Sequence, residues 1–396
     1  MSGQFLKGFM RCIAAILLLA CRETPVDTIA QYPAATLALV LGFRPASDPE
    51  VGSVTVRWLV GGKDTSLSSI TDSLPATTTL SGDPAGRLVY ALSNSSSRTF
   101  IVEYDYLARK VLRRVSFPRF SPIPPPVGAG MPRNAGLATG LAAPVVAPAL
   151  GLILAVANAG SGADPGLLAI SVATLRPVWF LPGRDVQAIA LAGGDLGTGA
   201  WLATRHAGTL EGQGGSILKL DLANYSVSDS NVFPGRTARE AYPFLLLAGD
   251  SSRSELIAVT ANVVFSCSGS PLRCTATQTP VSGTFSRVRS RLEWLQNVSN
   301  PSLLLARTPL RLIDERGEVI RDVSSSLFGG ALSSGIVSAK ADTSGRNAVV
   351  LAAPDPSMRA SQSFPVRFVV MDLTTLATKW RYEITTPTDE RFVAIY

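Results

Sequence analysis

Histidine is almost missing from this chain. His206 is the single copy in 396 residues. A histidine-rich metal site is therefore excluded, and any serine nucleophile would depend on that one imidazole. It sits in Thr204-Arg205-His206-Ala207-Gly208, just past a strand-like run, and reads as an ordinary loop residue. Charge is also sparse, at 16% of residues, and the net +7 is scattered among acids with no basic run, which gives nucleic acid no footprint. No uncharged apolar stretch is long and regular enough to span a bilayer, which takes about 20 residues. The longest charge-free segment, between Asn134 and Asp164, is broken by Pro144, Pro148 and many glycines. The glycine-rich stretches Gly193-Gly194-Asp195-Leu196-Gly197-Thr198-Gly199 and Gly212-Gln213-Gly214-Gly215 lack the phosphate-loop lysine and read as hairpin loops. Asp314-Glu315-Arg316-Gly317-Glu318 gathers carboxylates but is bounded by strand-like residues, so it reads as a turn. No catalytic group, metal site or cofactor is assigned on these residues.

Cysteine is scarce as well, with four copies, and two of them lie in the first 21 residues. Lys7 and Arg11 precede the uncharged segment 12–20, which ends in Leu18-Leu19-Ala20-Cys21. That order of charge, short apolar run and small residue is an export leader. Leu18-Leu19-Ala20-Cys21 resembles the bacterial lipobox. The resemblance implies removal of 1–20, a diacylglycerol and fatty acyl (palmitate) anchor on Cys21, and a membrane as partner. Arg22 in place of aspartate points to the outer membrane, on its periplasmic face or at the cell surface. The mature chain would then keep Cys267 and Cys274, separated by a turn-rich hexapeptide between two β-prone runs. An exported compartment lets them close a hairpin disulfide.

The body carries a repeat. Two or three apolar residues, an alanine and a polar turn or chain end recur in Leu88-Val89-Tyr90-Ala91, Leu152-Ile153-Leu154-Ala155, Ala200-Trp201-Leu202-Ala203, Glu255-Leu256-Ile257-Ala258, Leu303-Leu304-Leu305-Ala306, Val349-Val350-Leu351-Ala352 and Arg391-Phe392-Val393-Ala394. The alanines are 64, 48, 55, 48, 46 and 42 residues apart. Short continuous apolar runs suit strands buried on both faces. A second element follows most copies, clearest where Val369-Val370-Met371-Asp372-Leu373-Thr374-Thr375-Leu376-Ala377-Thr378-Lys379-Trp380 matches Leu168 to Trp179 place by place. Weaker versions occur at Val102-Glu103-Tyr104-Asp105-Tyr106, Leu218-Lys219-Leu220-Asp221-Leu222 and Arg311-Leu312-Ile313-Asp314, and each reads as a strand ending in a tight turn whose aspartate caps backbone donors.

From about residue 80 onward this rhythm resembles bacterial β-propellers with quinoprotein-like repeats, whose period is near that of a four-stranded blade. Ala377 stands where the quinoprotein signature places glycine, so the resemblance implies the architecture and no cofactor. The expected fold is all-β, a propeller of seven four-stranded blades. The last copy ends at Tyr396 after only its inner strands, so 36–41 and 54–60 are expected to complete the closing blade. The division is then 1–20 leader, 21–35 tether and 36–396 propeller, against a small separate β domain at 36–80 before a ring at 81–396. About 14 residues would separate lipid from ring.

The segment 117–130, FPRFSPIPPPVGAG, is too rich in proline for a ladder and is expected as an extended excursion. Arg287, Arg289 and Arg291 alternate and would share one face of a strand, as a contact for an anionic partner or as a solvated edge. These readings together describe a membrane-anchored, non-catalytic envelope lipoprotein that binds or assembles a protein partner. A quinoprotein-like or polysaccharide-active enzyme, and a glycan or small-ligand binder, are the alternatives.

Overall fold

Six of the seven repeated apolar runs form the second strands of antiparallel sheets. The computed structural model describes residues 37–45, 52–60, 63–72, 79–83, 88–94, 98–105, 110–118, 136–137, 144–158, 166–183, 185–192, 198–205, 215–233, 246–250, 255–259, 264–276, 291–295, 302–306, 311–314, 318–322, 334–341, 347–354, 366–384 and 389–395. Among them the strands sort into seven sheets. Sheet one runs, innermost strand first, Thr79–Asp83, Leu88–Asn94, Arg98–Asp105 and Lys110–Pro118. Sheet two has Val145–Ala147 and Gly136–Leu137 at its inner edge, then Leu152–Asn158, Gly166–Ser171 and Pro177–Pro182. Sheet three is Asp185–Ala192, Gly199–Arg205, Gly215–Asp221 and Ser226–Phe233, and sheet four is Leu246–Asp250, Glu255–Val259, Val264–Ser268 and Arg273–Ala276. Sheet five is Arg291–Leu295, Ser302–Ala306, Arg311–Asp314 and Val319–Asp322, and sheet six is Ser334–Ala341, Asn347–Pro354, Val366–Asp372 and Thr378–Ile384.

The closing sheet takes strands from both ends of the chain. Asp389–Ile395 is innermost and pairs antiparallel with Leu37–Pro45, which is followed by Gly52–Val60 and Lys63–Asp72. Here the structure refines the sequence reading. The seventh apolar run, with Ala394, is the innermost strand of its sheet, whereas the alanine runs of the other six sheets are second strands. The C-terminus therefore supplies one strand and the N-terminal region three. Each innermost strand touches the innermost strand of the next sheet, and Asp389–Ile395 touches both Ser334–Ala341 and Thr79–Asp83, so the series closes into a ring. The sheets are propeller blades, and the whole is a β-propeller.

Burial on both faces explains the apolar runs. Ile153, Ala155 and Ala157 pack toward sheet one with Tyr90, Leu92 and Ile101, while Leu152, Leu154 and Val156 pack toward sheet three with Leu202, Leu218 and Leu220. Trp201, Ala203 and Ile217 repeat the arrangement against Leu256, Ala258 and Phe265 of sheet four. Alternate side chains of one strand thus fill two different inter-sheet layers, each buried aliphatic contributing about 1.5–3 kcal/mol. Ala155, Ala203 and Ala258 are buried in these layers, where a small side chain lets neighbouring sheets approach.

One structural position joins four of the sheets to the sheet that follows. In six of the seven sheets the register shifts by a bulge between the third and outermost strands. Next to that bulge, Arg113 faces Glu103, Trp179 faces Ala169, Asp229 faces Lys219 and Arg321 faces Leu312. All four outer-strand residues reach the outer turn of the following sheet. Arg113 donates to Glu103, to the carbonyl of Ala173 and, at 2.6 Å, to that of Val172. Trp179 stacks on Tyr225 with ring centroids 5.4 Å apart. Asp229 accepts from the Leu272 amide at 2.8 Å while Asn231 donates to the Leu272 carbonyl at 3.0 Å. Arg321 donates to the Thr374 carbonyl at 3.0 Å, the place in sheet six that Ala173 holds in sheet two. Glu103 is only 3% exposed, so its charge depends on Arg113. The same bond holds the Arg113 guanidinium above its ordinary value, against the opposing effect of burial.

The outer turns share one design. Asp221 caps the amides of Ala223 and Asn224, Asp372 those of Thr374 and Thr375, and Asp314 that of Glu318. The aspartate caps read from the sequence are therefore present at these three turns. In sheets two and six the turn closes with two identical backbone bonds, Leu175 to Ser171 and Ser171 to Arg176, and Leu376 to Asp372 and Asp372 to Ala377. The fifth turn residue is left-handed in each case, at Leu175, Tyr225 and Leu376, with φ of 53°, 51° and 57°. These conformations cost a non-glycine residue about 1 kcal/mol or more. Burial of Leu175 and stacking of Tyr225 on the preceding sheet offset that cost.

Two outcomes follow. Replacing Arg113 by alanine should lower the unfolding free energy by about 2–4 kcal/mol in denaturant titration, and adding Glu103→Leu should recover part of the loss, because the stranded buried charge is then gone. The second concerns Asp221, whose carboxyl lies below its usual range through hydrogen bonds from the Asn224 side chain and backbone and from Ala223. A depressed carboxylate stabilises the fold above the ordinary aspartate range, about pH 4, and loses that effect as pH falls through its lowered folded value. The difference in melting temperature between the parent chain and Asp221→Ala should therefore be full at neutral pH and shrink on acidification. A gap that stays constant down to strongly acidic pH would contradict this assignment.

Candidate functional surfaces

The antiparallel order gives the ring two unlike faces. One carries the hairpins between first and second and between third and fourth strands, and none of these connections is longer than six residues. At the other lie the strand ends that lead into the remaining connections, including 119–135, 206–214, 234–245, 277–290, 323–333 and 355–365. The joints described above run from outer turn to outer turn and place those turns side by side on the first face, here the turn face.

The six long connections have a distinctive composition. They contain seven arginines, Arg119, Arg133, Arg236, Arg239, Arg287, Arg289 and Arg359, but no lysine, and three carboxylates, Glu211, Glu240 and Asp355. Phe120, Tyr242, Phe244, Phe285, Phe328 and Phe364 lie among them. Arginine and aromatic residues in place of lysine and carboxylates are the usage of protein-binding surfaces.

The sequence-derived sites distribute as follows. Cys21, His206, Arg287, Arg289 and the proline-rich core of 117–130 lie outside the described residues. Arg291 is the first residue of the innermost strand of sheet five and pairs with Ala306, so the described strand takes in one arginine of the alternating three. Cys267 and Cys274 are facing residues of the third and outermost strands of sheet four and form a disulfide, with Cα atoms 4.0 Å apart. This is the sheet whose outer pair has no register shift. A covalent cross-link thus stands in the sheet that lacks the bulge. Among the described residues no three His, Cys, Asp or Glu side chains come together as metal ligands.

Sequence reasoning missed the position occupied by Arg113, Trp179, Asp229 and Arg321. It also missed the aliphatic residues beside it. Among the described residues whose side-chain exposure is defined, the exposed large hydrophobics lie on outermost strands: Val111, Leu112, Val178, Val227, Val232, Val319 and Ile320. The chemistry available at the turn face is therefore that of backbone turns, charged side chains of both signs and aliphatic side chains. The aspartates there cap backbone amides.

No family model matches the chain, and no curated protein matches its sequence. Its similarity is to solved structures. The periplasmic gluconolactonase of Pseudomonas aeruginosa superposes with a TM-score of 0.55 at 12% identity, over 91% of this chain and 100% of that one. Hydrazine synthase of Kuenenia stuttgartiensis gives 0.49 at 10% identity over 88% and 95% of the two chains. A putative 6-phosphogluconolactonase of Bacteroides fragilis gives 0.46 at 10% identity over 94% and 98%. At such identity the likeness concerns the fold, which is the β-propeller that the sheet order and ring closure describe.

Proposed function

We propose that the chain is a lipid-anchored β-propeller of the bacterial cell envelope that works by binding. Its long-connection face is presented to a protein partner. The observation that carries this reading is the separation of the two faces. Leu37, the first residue of the first described strand, lies in register beside Val60 at the outer turn of the closing sheet, on the turn face. It follows the lipobox cysteine by 16 positions, while the arginine- and aromatic-rich connections leave strands on the opposite face. An anchor on one side and a binding composition on the other suit a scaffold that holds a partner near a membrane.

Cys21→Ser should move the protein from the membrane fraction to the soluble envelope fraction with its melting temperature unchanged. A protein that remains membrane-bound and acylated would refute the anchor. Crosslinking in native membranes from residues of 234–245 or 277–290 should trap an envelope protein, and crosslinking from the outer turns should not. Hydrolysis of gluconolactone or of envelope glycans by the purified chain at enzymatic rates would replace the scaffold reading with an enzymatic one.

A further inference from the structure

The exposed aliphatic residues are concentrated at one level of the ring. Val111 and Leu112 are the second and third residues of their outer strand, Val178 and Val227 the second of theirs, and Val319 and Ile320 the first two. All six are therefore within about 10 Å of an outer turn, at a rise of about 3.3 Å per residue. They are 36% to 46% exposed and recur on sheets one, two, three and five. Val232 is the exception, at the far end of the strand that carries Val227.

Charge at this level is of both signs. Lys110, Arg176, Arg273 and Arg321 are exposed beside the turns. The carboxylates Asp221, Asp314 and Asp372, which cap backbone amides, stand at the same level, as do Asp105, facing Lys110 in the ladder, and the exposed Glu318. Exposed aliphatic residues at one level can settle into the headgroup layer of a bilayer, where the cations between them meet lipid phosphates. The chain enters the ring on the same face. Residues 22–36 separate Cys21 from Leu37 and span at most about 50 Å when fully extended.

We propose that the turn face is a membrane-docking surface: the collar formed by Val111, Leu112, Val178, Val227, Val319 and Ile320 sits in the interface of the bilayer that holds the Cys21 lipid. The inference rests on the lipid-anchor reading for its occupant and on the collar for its geometry. Docking fixes the orientation of the propeller. The long-connection face is then held away from the lipid, instead of tumbling at the end of a leash. Each aliphatic is weak alone, but the anchor supplies a high effective concentration of bilayer, so a shallow collar is sufficient.

The full-length chain, produced with Val227→Cys, Ile320→Cys or Val232→Cys and labelled with an environment-sensitive fluorophore under non-reducing conditions, is reconstituted in phosphatidylethanolamine–phosphatidylglycerol vesicles carrying a lipid-borne quencher. Labels at 227 and 320 should shift to the blue and be quenched at least about twofold more than the label at 232, which shares a strand with 227. Equal emission and quenching at the three positions would overturn the collar. Intact mass reports acylation of Cys21 in the same samples, which separates the two readings. If the chain is not acylated, it is titrated with the same vesicles. Selective quenching at 227 and 320 then upholds the collar and refutes the anchor, and equal quenching refutes the collar. As a second variant, Val227→Asp with Ile320→Asp should keep the melting temperature, since both sites are exposed, and abolish the selective quenching of a label at Val178→Cys.

Discussion

Both faces of sheets two and three are apolar, and the architecture answers that fact. A sheet with one oily face can stop after one partner. A sheet such as that built on Leu152–Asn158, which sends Ile153 one way and Leu154 the other, must be covered twice, and so must its neighbour. The series has no natural end, and a ring is the arrangement that leaves no face uncovered. The pairing of Leu37–Pro45 with Asp389–Ile395 turns a stack of sheets into that ring.

Wedge-shaped packing brings a second requirement. Sheets splay toward the circumference, so their outer strands separate just where core residues run out. The position beside the outer bulge bridges that gap. A guanidinium, an indole, a carboxylate and a second guanidinium perform the same task at Arg113, Trp179, Asp229 and Arg321. What is constant is the reach to the turn of the following sheet. The bulge twists the outer strand locally and aims that residue.

The difference between constant geometry and variable chemistry explains what was legible in the sequence. Strands buried on both faces show themselves as apolar runs, so Leu152-Ile153-Leu154-Ala155 and its relatives could be found without a structure. Caps were legible because an aspartate and the amides it serves are two to four residues apart, as in Asp372 with Thr374 and Thr375. The joints were not, since Arg113 meets a carbonyl 60 positions away and its counterparts at Trp179 and Asp229 share no chemical type with it. The run ending in Ala394 reads like the other six in composition, yet it forms an innermost strand, because strand order within a sheet depends on the chain ends and not on the local pattern. The polar outermost strand Lys63–Asp72 gave no apolar signal, as an edge strand need not. The collar was hidden for a related reason: Val227 and Ile320 look like core residues in a sequence, and only their place on an outermost strand leaves them exposed.

The closing sheet also has a mechanical meaning. The proposed tether enters at Leu37, and Leu37–Pro45 is laddered on both sides, by Asp389–Ile395 and by Gly52–Val60. A pull from the membrane therefore acts along that strand from its first residue and loads two hydrogen-bond ladders together in shear, instead of peeling one bond at a time. The strand that closes the ring is the one best placed to bear tension, so a force on the anchor is met by the ring as a whole before any single sheet can be drawn out of it.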